Sequence, residues 1–157
     1  METSSKKAFT MVELVFVIVV IGILAAIAVP KFAATRDDAT ITKAIATIGS
    51  IRSALSAERQ KRILRGDFLA ITSLNSTDST NSAFDTFSVD GNNNKNDVLE
   101  YAISNCTFLG KSKGCWSFSG TTYTYNMPTS GTVDFNITNN RFDCMTPSDA
   151  NCKLLTH

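Results

Sequence analysis

The stretch from Phe9 to Val29, FTMVELVFVIVVIGILAAIAV, constrains this chain more than any other. Its 21 residues carry one charge, Glu13, and one weak helix former, Gly22. As a helix rising about 1.5 Å per residue it spans roughly 30 Å, the thickness of a bilayer's hydrocarbon core. The short segment before it has the look of an address. The long segment after it has the look of cargo held outside the membrane.

Three readings of the run compete. In the first it is an ordinary secretory signal, with Lys6 and Lys7 as the charged flank and Ala26-Ile27-Ala28 as the cleavage site. In the second it is a plain single-span anchor, its lysines kept in the cytoplasm. The third starts from Glu13. A carboxylate at membrane depth costs about 2.5–3.5 kcal/mol even on lenient insertion scales, which marks it as functional unless it snorkels to the headgroups.

The residues around the glutamate separate these readings. A basic leader, METSSKKA, runs directly into FTMVEL, then into an apolar helix and Pro30. This arrangement resembles the N-terminus of the type IV pilin superfamily, which includes type IV pilins and type II secretion pseudopilins. In that family a membrane-embedded aspartyl peptidase removes a short leader before a Phe, and the new amine is N-methylated. The resemblance places the cut between Ala8 and Phe9, makes Phe9 the methylated residue, and makes Glu13 the fifth residue of the mature chain. This chain has Ala8 where the family usually has Gly. The likeness is specific over about residues 6–35 and thin beyond them.

At 157 residues there is room for one helix and one compact head. The formal charge of +1 falls to zero if residues 1–8 are removed, and this neutrality conceals an asymmetry. Residues 31–65 carry eight Lys/Arg and three Asp/Glu, whereas residues 66–157 carry five Lys/Arg and nine Asp/Glu. A basic stem under an acidic head suits packing between copies, and a merely solvated helix face is the plainer alternative.

Pro30 removes a backbone donor and crowds the preceding turn, so a kink or short melted stretch near Ala26–Pro30, with Gly22 and Pro30 as the weak points, or a fresh helix start at Pro30 is expected. From Lys31 to about Leu64, apolar residues recur at helical spacing: Ile41, Ala44 and Ile45, Ile48, Ile51, Leu55. Gly66, after the basic cluster Arg59, Lys61, Arg62 and Arg65, is the stop signal. Residues 67–97 read as a loop, with Phe68, Leu69, Phe84 and Phe87 pinning it to the rest of the head. Then VLEYAI, CWSFS, TYTYNM, TVDFNIT and RFDCM read as short strands, with Thr138-Asn139-Asn140 in a hairpin turn. The expected fold class is α+β: a long N-terminal helix, kinked near Pro30, packed on a small antiparallel sheet. Its organisation is a leader at 1–8, a transmembrane and assembly helix at 9–29, an amphipathic helix at 30–65 and a β head at 66–157.

Cys106, Cys115, Cys144 and Cys152 all lie in the head without a C-x-x-C or Cys/His cluster, which argues against zinc and for two disulfides. Three pairings are open, and the local one, 106 with 115 and 144 with 152, is the expectation. The C-terminal pair is similar to the disulfide-bounded loop of many type IV pilins. Asp90, Asn92, Asn94 and Asp97 gather oxygen ligands of the kind calcium takes, but without EF-hand spacing, and a polar turn is the plainer account of them. No other cofactor is expected. Asn75, Asn105 and Asn136 each begin a minimal glycosylation sequon, a pattern that chance often produces.

Enzyme chemistry has little support: the single His is the last residue, His157, and no glycine-rich phosphate loop follows a strand. Trp116, Tyr123 and Tyr125 could stack on single-stranded DNA, but an acidic head lacks the basic groove such binding needs. The resemblance implies a non-enzymatic subunit of a type IV pilus or type II secretion-like filament, serving secretion, surface attachment or DNA uptake. Its implied partners are further copies, other pilin-like subunits, a prepilin peptidase, an inner-membrane assembly platform and membrane lipid. The implied location is the bacterial inner membrane, with one span and a periplasmic head. The rival reading is a monomeric, membrane-tethered periplasmic domain that captures a ligand.

Overall fold

The computed structural model describes residues 9–75, 81–89 and 92–156, without the side chains of residues 33, 89 and 92–95. The fold is α+β. Helix α1, Met11–Leu64, runs 54 residues and retains helical structure through Pro30. The chain divides into two compact units, one ending at Arg36 and the other beginning at Asp37.

In the first unit, every described side chain between Phe9 and Val29 except Ala28 is exposed. This part of α1 is long and apolar enough to cross a membrane, with an 18-residue window of mean hydropathy 3.1.

The second unit has its own core. Along α1, Ile41, Ala44, Ile48, Ile51 and Leu55 are buried at spacings of three and four, which places them on one helix face. Ile45, grouped with them by sequence, is 37% exposed, because it lies a full step off that stripe. Thr42, Thr47 and Ser50 turn their hydroxyls back to the carbonyls of Asp38, Lys43 and Ala46. Such bonds satisfy small polar side chains without interrupting the helix.

Opposite this face lies a four-stranded antiparallel meander of β5 (Cys115–Ser119), β6 (Thr122–Asn126), β7 (Thr132–Thr138) and β8 (Arg141–Cys144). Alternation puts Trp116, Tyr123, Tyr125, Val133, Phe135 and Phe142 inside. Their register is direct: Trp116 faces Tyr125, and Tyr123 faces both Phe118 and Phe135. The β7–β8 turn has Asn139 and Asn140 both at positive φ, 54° and 58°, the backbone a tight two-residue hairpin requires. Each large apolar side chain fully buried in this core contributes about 1.5–3 kcal/mol.

Three segments depart from the sequence expectation. Residues 81–97 are not a plain loop: β1 (Ser82–Ala83) pairs with β4 (Ile103–Ser104), and β2 (Thr86–Val89) pairs with β3 (Asn92–Asp97). Asn, Asp and Lys are poor strand formers, but backbone pairing and the buried Phe87 override that preference. Ser88 exchanges backbone bonds with Ser73 and accepts from Thr72, so the 72–73 segment pairs with β2. Of VLEYAI only Ile103 enters a strand, as the first residue of β4, and Tyr101 is exposed. Of the four expected anchors, Phe84 and Phe87 are buried, whereas Phe68 and Leu69 are 70% and 57% exposed.

Helix α1 ends as its glycine predicts. Gly66, at φ 79°, donates to Ile63 O while Asp67 N donates to Arg62 O, the paired closure of a left-handed helix cap. Arg62 is not a solvated end charge, however. It meets Glu58 at 3.1 Å with both side chains 3% exposed, and Asn96 donates to the same Glu58 oxygen at 3.0 Å. The two Nη groups of Arg62 are buried without a hydrogen-bond partner among the described residues.

Candidate functional site at the start of the long helix

The first turn of α1 is built by its own side chains. Thr10 precedes the helix, and its hydroxyl accepts from the backbone N–H of Glu13 at 3.2 Å. In return Oε2 of Glu13 accepts from the Thr10 N–H and from the Thr10 hydroxyl, each at 3.2 Å. This is a reciprocal capping box, which satisfies two donors that a helix start otherwise leaves open. The negative carboxylate also faces the positive end of the helix dipole. The T-x-x-E spacing of FTMVE is itself a capping-box signature, a role for Glu13 beyond those expected from its cost in lipid and from the pilin-like motif.

Phe9 is 79% exposed and adjoins this cap. Ala8, on the other side of the expected cut, lies outside the described residues. Gly22 and Pro30 are both exposed positions within α1, and a Cβ at Gly22 would meet nothing within 4 Å. The surface presented by Phe9, Val12, Phe16, Ile23, Leu24 and their neighbours is apolar on all sides. Chemically, such a helix can be covered by lipid or by other apolar helices. Glu13 is the single fixed charge within it.

The remaining predicted residues lie in the head. Cys106 is bonded to Cys115, and Cys144 to Cys152, with Cα separations of 5.3 and 6.2 Å. Each bridge ties a short helix to a strand. Helix α2, Cys106–Leu109, is capped by the side chain of Asn105, and α3, Ala150–Thr156, by that of Asp149. Neither helix was expected from the sequence, although Asn and Asp immediately before each are recognisable caps. The cap role also occupies the Asn105 sequon, and the Asn75 side-chain oxygen is used by Phe84 N.

Asp90 of the calcium expectation lies outside the described residues, as do the side chains of Asn92 and Asn94. Asp97 is exposed at the end of β3. Among the described residues no group of three His, Cys, Asp or Glu could hold a metal. His157 also lies outside the described residues.

The aromatic residues are structural. Trp116, Tyr125, Phe135, Tyr123, Phe142 and Phe84 form one cluster with centroid spacings near 5–6 Å. Burial pushes the hydroxyls of Tyr123 and Tyr125 above their ordinary pKa. The Tyr123 hydroxyl accepts from Leu74 N at 2.7 Å, and that of Tyr125 donates to Thr40 O at 3.2 Å.

Residues 3–29 match the family model described as the prokaryotic N-terminal methylation motif. The chain is also similar to the type IV narrow pilus major component PilA5 of Thermus thermophilus, 52% identical over 48 residues, covering 31% of this chain and 41% of that protein. It is 36% identical over 50 residues to a fimbrial protein of Pseudomonas aeruginosa, covering 32% of each. The chain thus spans about a third to about two fifths of the length of these curated relatives. No solved structure gives a significant match.

Proposed function

We propose that this chain, whose N-terminal segment is similar to those of type IV pilins, is a non-enzymatic structural subunit that packs its N-terminal helix into a filament. The observation that carries the reading is one helix with apolar side chains all round, beginning at a capped glutamate inside a methylation motif. The pilus and fimbrial relatives favour a type IV pilus over a secretion filament or a DNA-uptake filament.

In this reading a prepilin peptidase cuts between Ala8 and Phe9 and the Phe9 amine is methylated. Until assembly the helix spans the inner membrane once, with the head in the periplasm. Two disulfides suit that oxidising compartment. An assembly platform then draws the subunit out of the lipid. Apolar surface that lipid covered becomes covered by the helices of other copies.

The cut changes the surroundings of Glu13. It creates an amine with an ordinary pKa near 8, largely cationic at neutral pH, on the residue next to Thr10. Among bundled helices an unpaired carboxylate is costly, and this amine, from the same or a neighbouring copy, is its natural counter-charge. A helix slipped out of register would leave both charges buried and alone.

Intact-mass measurement and N-terminal sequencing of the membrane fraction test the processing step. The expected chain begins at an N-methylated Phe9. A chain beginning at Val29 makes the segment an ordinary signal peptide and removes the basis for assembly.

A further inference from the structure

The head contains a groove away from the helix start described above. It has a volume near 350 Å³ and lies between the Arg52–Gln60 part of α1 and the Asn140–Asp143 part of the β7–β8 hairpin. Leu55 and Phe142, each 1% exposed, form its apolar floor. Arg52, Arg59 and Arg141 line it with one carboxylate, Asp143.

The three arginines are held in different ways. Arg52 donates through Nε to Phe142 O at 3.0 Å and through Nη2 to Asp143 Oδ1 at 3.1 Å. Arg59 donates through Nη1 to Leu69 O at 2.7 Å and through Nη2 to Phe68 O at 3.2 Å. Arg141 approaches the second oxygen of Asp143 with Nε at 3.2 Å. Carbonyl partners orient a guanidinium without cancelling its charge, and one carboxylate is divided between two of them. Three cations therefore face one anion.

Donors are also left over. Nη1 of Arg52, Nε of Arg59 and both Nη groups of Arg141 donate to no described residue. Fold maintenance accounts for Arg52, which caps a carbonyl on the open edge of β8, and for Arg59, which clamps the turn after α1. It does not account for Arg141, whose side chain is 77% exposed and adds a second cation to an Asp143 already paired.

We propose that this groove binds an oxyanion, a carboxylate or phosphate group, on the guanidinium groups of Arg52, Arg59 and Arg141. A guanidinium fork fits the planar or tetrahedral oxygens of such groups. Arg52 and Arg59 are already ordered, so little side-chain freedom is lost on binding. The volume lies within the range of small-ligand pockets. A free small molecule and the acidic side chains of another polypeptide carry the same chemistry. The inference stands whether or not the chain forms filaments.

The test is an NMR titration of the full ¹⁵N-labelled chain in detergent micelles at physiological ionic strength. The three probes are citrate, inorganic phosphate and a tetraglutamate peptide. The expected result is saturable shifts confined to residues 52–60 and 140–143 with at least one probe. Arg141→Glu, at an exposed position, should weaken that binding roughly tenfold, the scale of one charge-assisted hydrogen bond. Lys153→Glu, an exposed charge outside the groove, should leave it unchanged. Binding of citrate or phosphate identifies a free anion as the source. Binding of the peptide alone identifies an acidic polypeptide. Shifts that fail to saturate with all three probes, or an equal loss in Lys153→Glu, overturn the proposal.

Discussion

Glu13 and Glu58 lie on the same helix in opposite surroundings. Glu13 is exposed and completes the capping box with Thr10. Losing one such cap costs about 0.5–2 kcal/mol locally. Glu13→Gln and Glu13→Val should therefore leave the chain inserted and the head folded, yet reduce the fraction recovered in sheared filaments. Gln tests the charge at constant size, and Val tests whether apolar character suffices. Glu58 is buried against Arg62. Glu58→Ala leaves that guanidinium as an uncompensated buried charge, and urea unfolding should register a loss of about 3–5 kcal/mol. The tyrosines add a pH dependence. Burial raises Tyr123 and Tyr125 above the ordinary value of 10.0, so the native state holds these protons more tightly than the unfolded chain. Their contribution is complete below that pH and declines as pH rises above it. Melts followed by circular dichroism should show Tm falling in that alkaline range, and less steeply in Tyr125→Phe.

At the scale of elements, legibility followed periodicity. The apolar stripe Ile41 to Leu55 and the alternating strands β5 to β8 were readable because burial on one face leaves a repeat in the sequence. The Asn139-Asn140 turn was readable because its backbone conformation demands those residues. The β2–β3 hairpin left no such mark, since backbone bonds to residues 72–73 and one buried Phe hold a polar sequence in strands. Likewise nothing in the residue type of Arg62 distinguished a buried ion pair from a solvated helix end. At the site, Phe9 and Glu13 were legible from the motif. The role of Thr10 was legible too, in the T-x-x-E spacing, but was overlooked. Close approach of elements was not legible at all. Gly114, at φ 65°, lies where a Cβ would sit 2.7 Å from Cγ2 of Thr40. Gly114→Ala should lower stability by about 1–3 kcal/mol through backbone strain and contact with α1, measurable by urea unfolding. The bridges act on loops of similar length. Replacing Cys144 and Cys152 together by Ser should cost about 2.5 kcal/mol by the chain-entropy relation and leave the membrane helix in place.

At the scale of the whole molecule, the sequence distributes apolar surface and charge by segment. Residues 9–29 carry apolar surface and Glu13, residues 31–65 are strongly basic, and residues 66–157 are acidic. The head buries its own core without help from residues 9–36. In the assembly account, the exposed helix surface is left for lipid in one state and for other copies in the other. The rival account, a tethered monomer, needs the same helix only as an anchor and assigns no role to Glu13 beyond its cap. The two accounts part on whether α1 meets α1. A photocrosslinking residue at Val17, exposed on α1, measures this directly in cells that carry the processing and assembly machinery. The assembly account predicts a ladder of covalent multimers from the native chain, sharply reduced in Glu13→Val. A monomer band alone from a correctly processed native chain, or an undiminished ladder in Glu13→Val, would contradict it.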